Sequence, residues 1–187
     1  MNIIGINCSH RKNSNSELFL DYVLEKLSEK NSVEKFNLLD LKIDCRGCES
    51  CFENFKFHND DLVKLHEKML LADLIIIASP TYFGMPSGLA KTLMDRTNSI
   101  WLERGFKGKI GAIIVNGASN FGAIEINAKN ITHFFHDHEM LSVPFYACFN
   151  NSIENENEKF SLADKKVTDG LDKLLDEIIG LLNKIKF

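Results

Sequence analysis

Short, wholly apolar runs alternate along this chain with stretches whose apolar residues recur at helical spacing. Ile3-Ile4-Gly5-Ile6, Leu74 to Ala78 and Ile110 to Val115 show no alternation of polar and apolar residues. A strand with one face in water would alternate; a strand buried on both faces would not. Between these runs, Leu20, Val23, Leu24 and Leu27 fall on one helical face, as do Leu62, Leu65, Met69 and Ala72. Val33 to Leu39 and Met140 to Ala147 are further strand candidates. A helix is expected after Pro86, whose ring suits a first turn. Another is expected from Ile124 to Phe135, and a last one carries Val167, Leu171, Leu174, Leu175, Ile178 and Ile185. A strand followed by a helix, five times over, predicts a five-stranded parallel sheet with helices on both faces. Pro144 cannot donate to a ladder, so the fifth strand is expected at an edge. The strand order 2-1-3-4-5 places it there.

At 187 residues the chain fits one domain, and residues 1–187 read as one. Its 44% hydrophobic and 26% charged residues are ordinary for a globular protein. A net charge of −4 gives no basic field, so nucleic acid is not an expected partner. The apolar runs fall far short of the ~20 residues a membrane span needs. Five cysteines, three of them crowded at Cys45, Cys48 and Cys51, do not resemble a secreted disulfide framework. The first residues lack the basic segment and apolar core of a signal peptide. The expected compartment is cytoplasmic.

In a sheet of this order, ligands bind beyond the carboxyl ends of the strands, near the switch between strands 1 and 3. Three loops therefore matter. The first runs from Ser9 through Arg11, Ser14 and Asn15 to Ser16. It is neither a Walker loop nor a dinucleotide fingerprint, since GxxxxGK[ST] and GxGxxG are both absent. It is dense in hydroxyl, amide and basic groups, and Ser14 with Glu17 forms a capping box for the next helix. Such a helix start suits a terminal phosphate, though the same serines could merely cap the helix. The second loop is Ser79-Pro80-Thr81-Tyr82-Phe83-Gly84. Its adjacent aromatics can hold a flat ring, or can close the core. The third loop runs through Asn116, Gly117, Ala118, Asn120 and Gly122. It either lets backbone approach a ligand or forms an ordinary turn.

Taken together, these loops resemble those of the flavodoxin-like NAD(P)H-dependent FMN reductases, in particular the branch that includes iron–sulfur flavoproteins. The resemblance runs from Ile3 to about Val143. Its landmarks are Ser9, Arg11, Asn15 and Ser16; Cys45, Cys48 and Cys51 with Asp60-Asp61; Ser79 to Gly84; and Asp95-Arg96. It implies a flavodoxin-like three-layer α/β sandwich. FMN would be held by its phosphate at the first loop and by its ring at the second and third. The resemblance also implies a homodimer or homotetramer with the flavin near a subunit boundary. Where the family often carries a Gly–Gly pair in the third loop, this chain reads Asn116 to Gly122.

The activity implied is FMN-dependent oxidoreduction, with electrons taken from NAD(P)H and passed to a quinone, a flavin or a similar small acceptor. The flavin performs the chemistry and the protein positions it, so no acid–base residue is demanded. The alternatives are a non-enzymatic flavodoxin-type electron carrier, an iron–sulfur flavoprotein, and a flavin-free interaction domain on the same fold. In cluster-bearing relatives a fourth cysteine follows the three, just before an Asp-Asp pair. Here that position falls near Phe57, which cannot bind iron, and the adjacent His58 would serve only if the loop shifted. Three ligands could hold a cluster with an open iron, or a zinc together with His58. The expectation is a metal-free loop, with no metal ligand assigned. Cys8 and Cys148 are expected as buried thiols. His133, His136 and His138 read as a solvated helix terminus, and Trp101 as a packing or interface residue.

Overall fold

A computed structural model describes residues 1–118, 123–151 and 160–185 of the chain. Its strands are β1 (Asn2–Asn7), β2 (Ser32–Asn37), β3 (Leu74–Tyr82), β4 (Met85–Pro86), β5 (Ile110–Ala118), β6 (Leu141–Ser142) and β7 (Ala147–Asn151). Its α-helices are α1 (Asn15–Ser28), α2 (Asp61–Leu71), α3 (Gly88–Asp95), α4 (Asn98–Leu102), α5 (Ala123–Asp137) and α6 (Lys165–Lys184). The parallel sheet runs β2-β1-β3-β5, with β6 and β7 both pairing along the outer side of β5. This is the 2-1-3-4-5 order with the fifth strand in two pieces. Pro144 lies in the gap between β6 and β7, so no ladder bond is asked of it. The fifth strand thus resumes at Ala147 and ends at Asn151, beyond its expected range. Residues 152–159, which follow β7, lie outside those described.

Register explains the double burial. Ile3 pairs with Leu74 and Val33, Leu74 with Ile110, and Ile77 with Ile113. Alternate residues of each strand point to opposite faces. Ile4, Ile6, Ile75, Ile77 and Ile113 pack with Leu62, Leu65, Met69, Leu93, Ile131 and Phe135 of α2, α3 and α5. Ile3, Leu74, Ile76, Ile110 and Ile114 pack with Phe19, Val23, Leu171 and Leu174 of α1 and α6. Each fully buried aliphatic side chain contributes roughly 1.5–3 kcal/mol relative to exposure. Both helical layers are therefore necessary to the sheet.

Three boundaries differ from the sequence expectation, and each has a local cause. Strands β3 and β5 run to Tyr82 and Ala118, past their apolar cores, because Pro80 and Asn116 still pair. Pro86 sits in β4, opposite Thr81, and the helix it was expected to open begins two residues later. Ser87 is the cap, its hydroxyl accepting from the Ala90 N–H at 3.1 Å. The chain after β2 turns into a short 3₁₀ segment, Leu38–Asp40, rather than extending the strand. No helix among the described residues is long and apolar enough to cross a membrane.

Candidate functional site

The first loop leaves β1 at Asn7 and is shaped by its own side chains. The Ser9 N–H donates to Asn7 Oδ1 at 3.2 Å, and buried Ser9 Oγ accepts from the Arg11 N–H at 3.1 Å. Arg11 itself is exposed. Ser14 caps α1, its hydroxyl accepting from the Glu17 N–H at 3.2 Å. The return bond of the expected capping box falls one residue earlier, from the Asn13 N–H to the Glu17 carboxylate at 3.1 Å. The N–H groups of Asn15 and Ser16 lie in the first turn, where the helix supplies no acceptor. Two free donors at the positive end of a helix dipole form an anion-binding element. The Ser16 hydroxyl is not part of it: this side chain is buried and donates to Asn116 Oδ1 at 2.6 Å. Ser16 thus ties the first loop to the end of β5.

The second loop is a hairpin between β3 and β4. Tyr82 pairs with Met85 across a two-residue turn, Phe83-Gly84, with φ of 51° and 77°. Two positive φ values define a type I′ turn, which twists with the strands it joins. A phenylalanine held there costs on the order of 1 kcal/mol. Phe83 is wholly exposed and Tyr82 more than a third exposed, so neither ring closes the core. Beneath them the scaffold is fixed. Ser79 Oγ donates to the Pro80 carbonyl and accepts from the Ser87 N–H. Ser87 Oγ donates to the Cys8 carbonyl at 2.6 Å, joining the ends of β1 and β3 to the start of α3. Thr81 Oγ1 accepts from Asn127 Nδ2 at 2.9 Å. Asn127 Oδ1 is buried without a partner among the described residues. The His10 ring lies 6.4 Å from that of Tyr82.

The third loop is described as far as Ala118, which closes β5; the expected contacts Asn120 and Gly122 lie outside the described residues. Asn116, opposite Pro80 in register, is the acceptor for Ser16. A Cβ on Gly117 would sit 3.1 Å from the Thr81 Cβ, so a side chain there would press β5 away from β3. The expected site residues Ser9, Arg11, Ser14, Asn15, Ser16, Pro80, Thr81, Tyr82, Phe83, Gly84, Asn116, Gly117 and Ala118 therefore gather at the carboxyl ends of β1, β3 and β5. Sequence reasoning missed Asn127. Its signal was an amide on the apolar stripe of α5, between Ile124, Ala128 and Ile131.

The cysteine segment forms a second locale, at the far end of α3. Cys45, Cys48, Cys51 and His58 line a cavity of about 230 Å³ together with Arg96 and Asn98. Cys48 Sγ lies 3.3 Å from His58 Nε2, a hydrogen-bond contact. Arg96 is 1% exposed. It donates to both carboxylate oxygens of Asp60, at 2.7 and 3.3 Å, and to the Asp44 carbonyl at 2.7 Å. Asp60 also caps α2. Two sequence landmarks, Asp60-Asp61 and Asp95-Arg96, thus meet as one clamp around the cysteine loop. Cys8 is buried and desolvation raises its thiol pKa; Cys148 is half-buried and pushed up to about 12 by the same cause.

His133 and His136 are exposed on α5, as expected, but His138 is not part of a solvated terminus. It is buried against Phe106 and Phe134, with Nε2 2.9 Å from Thr97 Oγ1. The Thr97 hydroxyl spends its proton on the Met94 carbonyl, so His138 Nε2 carries the hydrogen. Burial lowers its pKa to about 4. Trp101 is half-exposed, and its indole N–H donates to the Asp137 carbonyl, tying α4 to the end of α5.

A parallel sheet in this order, with a helix start suited to an anion beside an exposed aromatic hairpin at the switch point, is an arrangement in which folds of this class hold a phosphate and a flat ring. Comparison with known proteins gives it a family. The profile of the NADPH-dependent FMN reductase family matches residues 1–153, and the chain belongs to that family. An iron-sulfur flavoprotein of Methanosarcina thermophila is 31% identical over 190 residues, covering 98% of this chain and 98% of the relative. Another iron-sulfur flavoprotein, from Methanocaldococcus jannaschii, is 35% identical over 146 residues, 76% of each chain. Among solved structures, an NADH:FMN oxidoreductase in its apo form superposes with a TM-score of 0.73 over 94% of this chain and 86% of that one. At 19% identity that likeness is one of fold. The family makes this chain a flavin-dependent oxidoreductase that uses FMN.

Proposed function

We infer that the chain binds FMN across the ends of β1, β3 and β5, accepts electrons from NAD(P)H, and passes them to a quinone, a flavin or a similar small acceptor. Two contacts support this reading: the Ser16–Asn116 bond ties the first loop to the end of β5, and Gly117 lies close against Thr81 of the second. The N–H groups of Asn15 and Ser16, with Arg11 at the rim, hold the phosphate by charge-assisted hydrogen bonds. The Tyr82–Gly84 hairpin supports the ring, and the absence of a side chain at Gly117 lets backbone approach it. When bound, FMN supplies hydride acceptance and onward electron release. The chain's residues place the ring and leave one face open to a nicotinamide. A homodimer or homotetramer fits the wholly exposed Phe83, which a second subunit would cover beside the ring.

Titration of the purified protein with FMN, followed by anaerobic addition of NADH or NADPH, tests this. Stoichiometric flavin that bleaches rapidly is the expected result. Flavin reduced only by a partner protein would make the chain an electron carrier, and a chain that binds no FMN would overturn the reading. Arg11→Ala is expected to weaken FMN binding by about 1–3 kcal/mol, the range for a hydrogen bond to a charged group.

A second reading adds to the first. The iron-sulfur flavoprotein relatives, one of them matched over nearly the whole chain, support an iron–sulfur cluster alongside FMN. The cavity lined by three cysteines and a histidine favours it.

A further inference from the structure

We propose that Asn127 is a positioning residue of the cofactor site: its side-chain amide fixes the Pro80–Thr81 segment so that the Thr81 hydroxyl donates a hydrogen bond to a ring oxygen or nitrogen of bound FMN. The proposal rests on the reading above that the second loop supports the ring. It starts from an amide among apolar neighbours. Asn127 is fully buried on the apolar stripe of α5, and its Oδ1 has no partner among the described residues. A buried acceptor left unpaired has lost its hydration for nothing in return, and an apolar side chain of the same shape would spare the fold that cost. Packing alone therefore does not account for an asparagine here.

What the amide holds is the second loop. Nδ2 donates to Thr81 Oγ1 at 2.9 Å and to the Pro80 carbonyl at 3.3 Å. A carbonyl can only accept, so Pro80 fixes which end of the amide is nitrogen. The Pro80 carbonyl also accepts from Ser79 Oγ at 2.9 Å and keeps that donor without Asn127. The Thr81 hydroxyl has Asn127 as its one partner among the described residues, and it accepts from it. Its own hydrogen is thus left for another acceptor, and a hydroxyl that accepts one bond donates a stronger one. Thr81 is half-buried near the carboxyl end of β3, with Gly117 close against it and Tyr82 next in the chain.

The grip on the hairpin is two-ended. Three residues further along α5, Asn130 Nδ2 reaches Met85 Sδ at 3.3 Å and the Gly84 carbonyl at 3.5 Å. Residues three apart on a helix share a face. One face of α5 therefore holds the hairpin before and after its turn, and Asn127 holds the side that carries the hydroxyl.

The test uses the full chain with FMN, as Asn127→Leu, Thr81→Val and the two combined. Asn127→Leu should keep the urea midpoint at or above the parent's, because the unpaired oxygen is gone, while FMN binding weakens about three- to tenfold, the worth of one hydrogen bond. Thr81→Val should weaken binding to the same degree and the double variant no further, since both changes remove the same bond. Each should also shift the absorption bands of bound flavin and lower its midpoint potential, because a hydrogen bond donated to the ring favours its electron-rich, reduced form. Asn127→Leu protein that loses stability yet keeps the parent's FMN affinity, spectrum and potential would reduce Asn127 to a core hydrogen bond and overturn the proposal. Should Asn127→Leu not fold, Thr81→Val decides alone, and parent-like flavin properties there overturn it equally. Losses that add in the double variant would show the two side chains acting separately, which also overturns it. A parent chain that takes up no FMN would instead remove the reading beneath the proposal, and the proposal with it.

Discussion

Ser16 and Asn116 lie a hundred residues apart, yet one 2.6 Å bond between them joins the phosphate loop to the end of β5. Ser16→Ala removes the donor and leaves the buried Asn116 oxygen without a partner. The expected cost is about 1–3 kcal/mol of stability, measured by urea unfolding, with weaker FMN binding in parallel. An unchanged unfolding midpoint would mean water replaces the hydroxyl. Phe83 makes the opposite case. It occupies a left-handed position that asparagine tolerates better, and its ring is wholly exposed. Phe83→Asn is therefore expected to stabilise the isolated chain by roughly 0.5–1 kcal/mol while impairing flavin-dependent activity. Loss of stability in a dilute sample would show that the ring carries packing energy within the chain.

At the scale of elements, α2 and α3 are joined by a clamp more than by apolar contact alone. Arg96 follows the last residue of α3, Asp60 caps α2, and their ion pair is withdrawn from water. Removing one partner of a buried pair strands the other charge, at a cost of about 3–5 kcal/mol. Asp60→Ala should approach that loss, because Arg96 is 1% exposed and cannot turn to solvent. The joint change Asp60→Ala with Arg96→Met should recover part of it, since no buried charge then remains. A double variant no more stable than Asp60→Ala would show that the lost helix cap and the lost Asp44 contact dominate. Helix α3 also sets the distance between the two locales. Its eight residues, at 1.5 Å each, place the clamp about 12 Å from the serine cap beneath the aromatic hairpin.

At the scale of the whole molecule, two buried histidines link the core to pH. His66 lies against Phe55 with both ring nitrogens unpaired among the described residues, and burial lowers its pKa to about 4; His138 is lowered to about 4 for the same reason. In the unfolded chain each titrates near 6.5. Between about pH 6.5 and 4 the unfolded state binds more protons than the folded one. Stability from these two groups is therefore highest above 6.5, falls as the pH drops through this window, and levels off below about 4. The expected loss is on the order of 3 kcal/mol for the more deeply buried His66 by pH 4 and less for His138, read as a falling urea midpoint. His138→Gln should make that fall shallower. A midpoint independent of pH would place both rings in contact with water.

The sequence by itself determined the architecture and which loops gather at the carboxyl ends of the strands. Doubly buried strands leave their period in the residues, as at Ile75 to Ile77, and the strand–helix alternation admits few topologies. Serines before a helix and an aromatic pair between proline and glycine are local signals, and both loops formed where they were read. The tertiary structure decided what depends on partners distant in the chain. It turned the Ser16 hydroxyl to Asn116 rather than toward a ligand, and it joined Arg96 to Asp60. It also buried His138, which the helical pattern had left at a solvated end. Pro144 was legible as an edge residue, but the interruption it causes depended on which β5 residues stood opposite. The contact of His58 with Cys48 depended on the fold of the cysteine loop. Spacing counts residues along the chain, whereas ligation and hydrogen bonding depend on where side chains point once the backbone has closed.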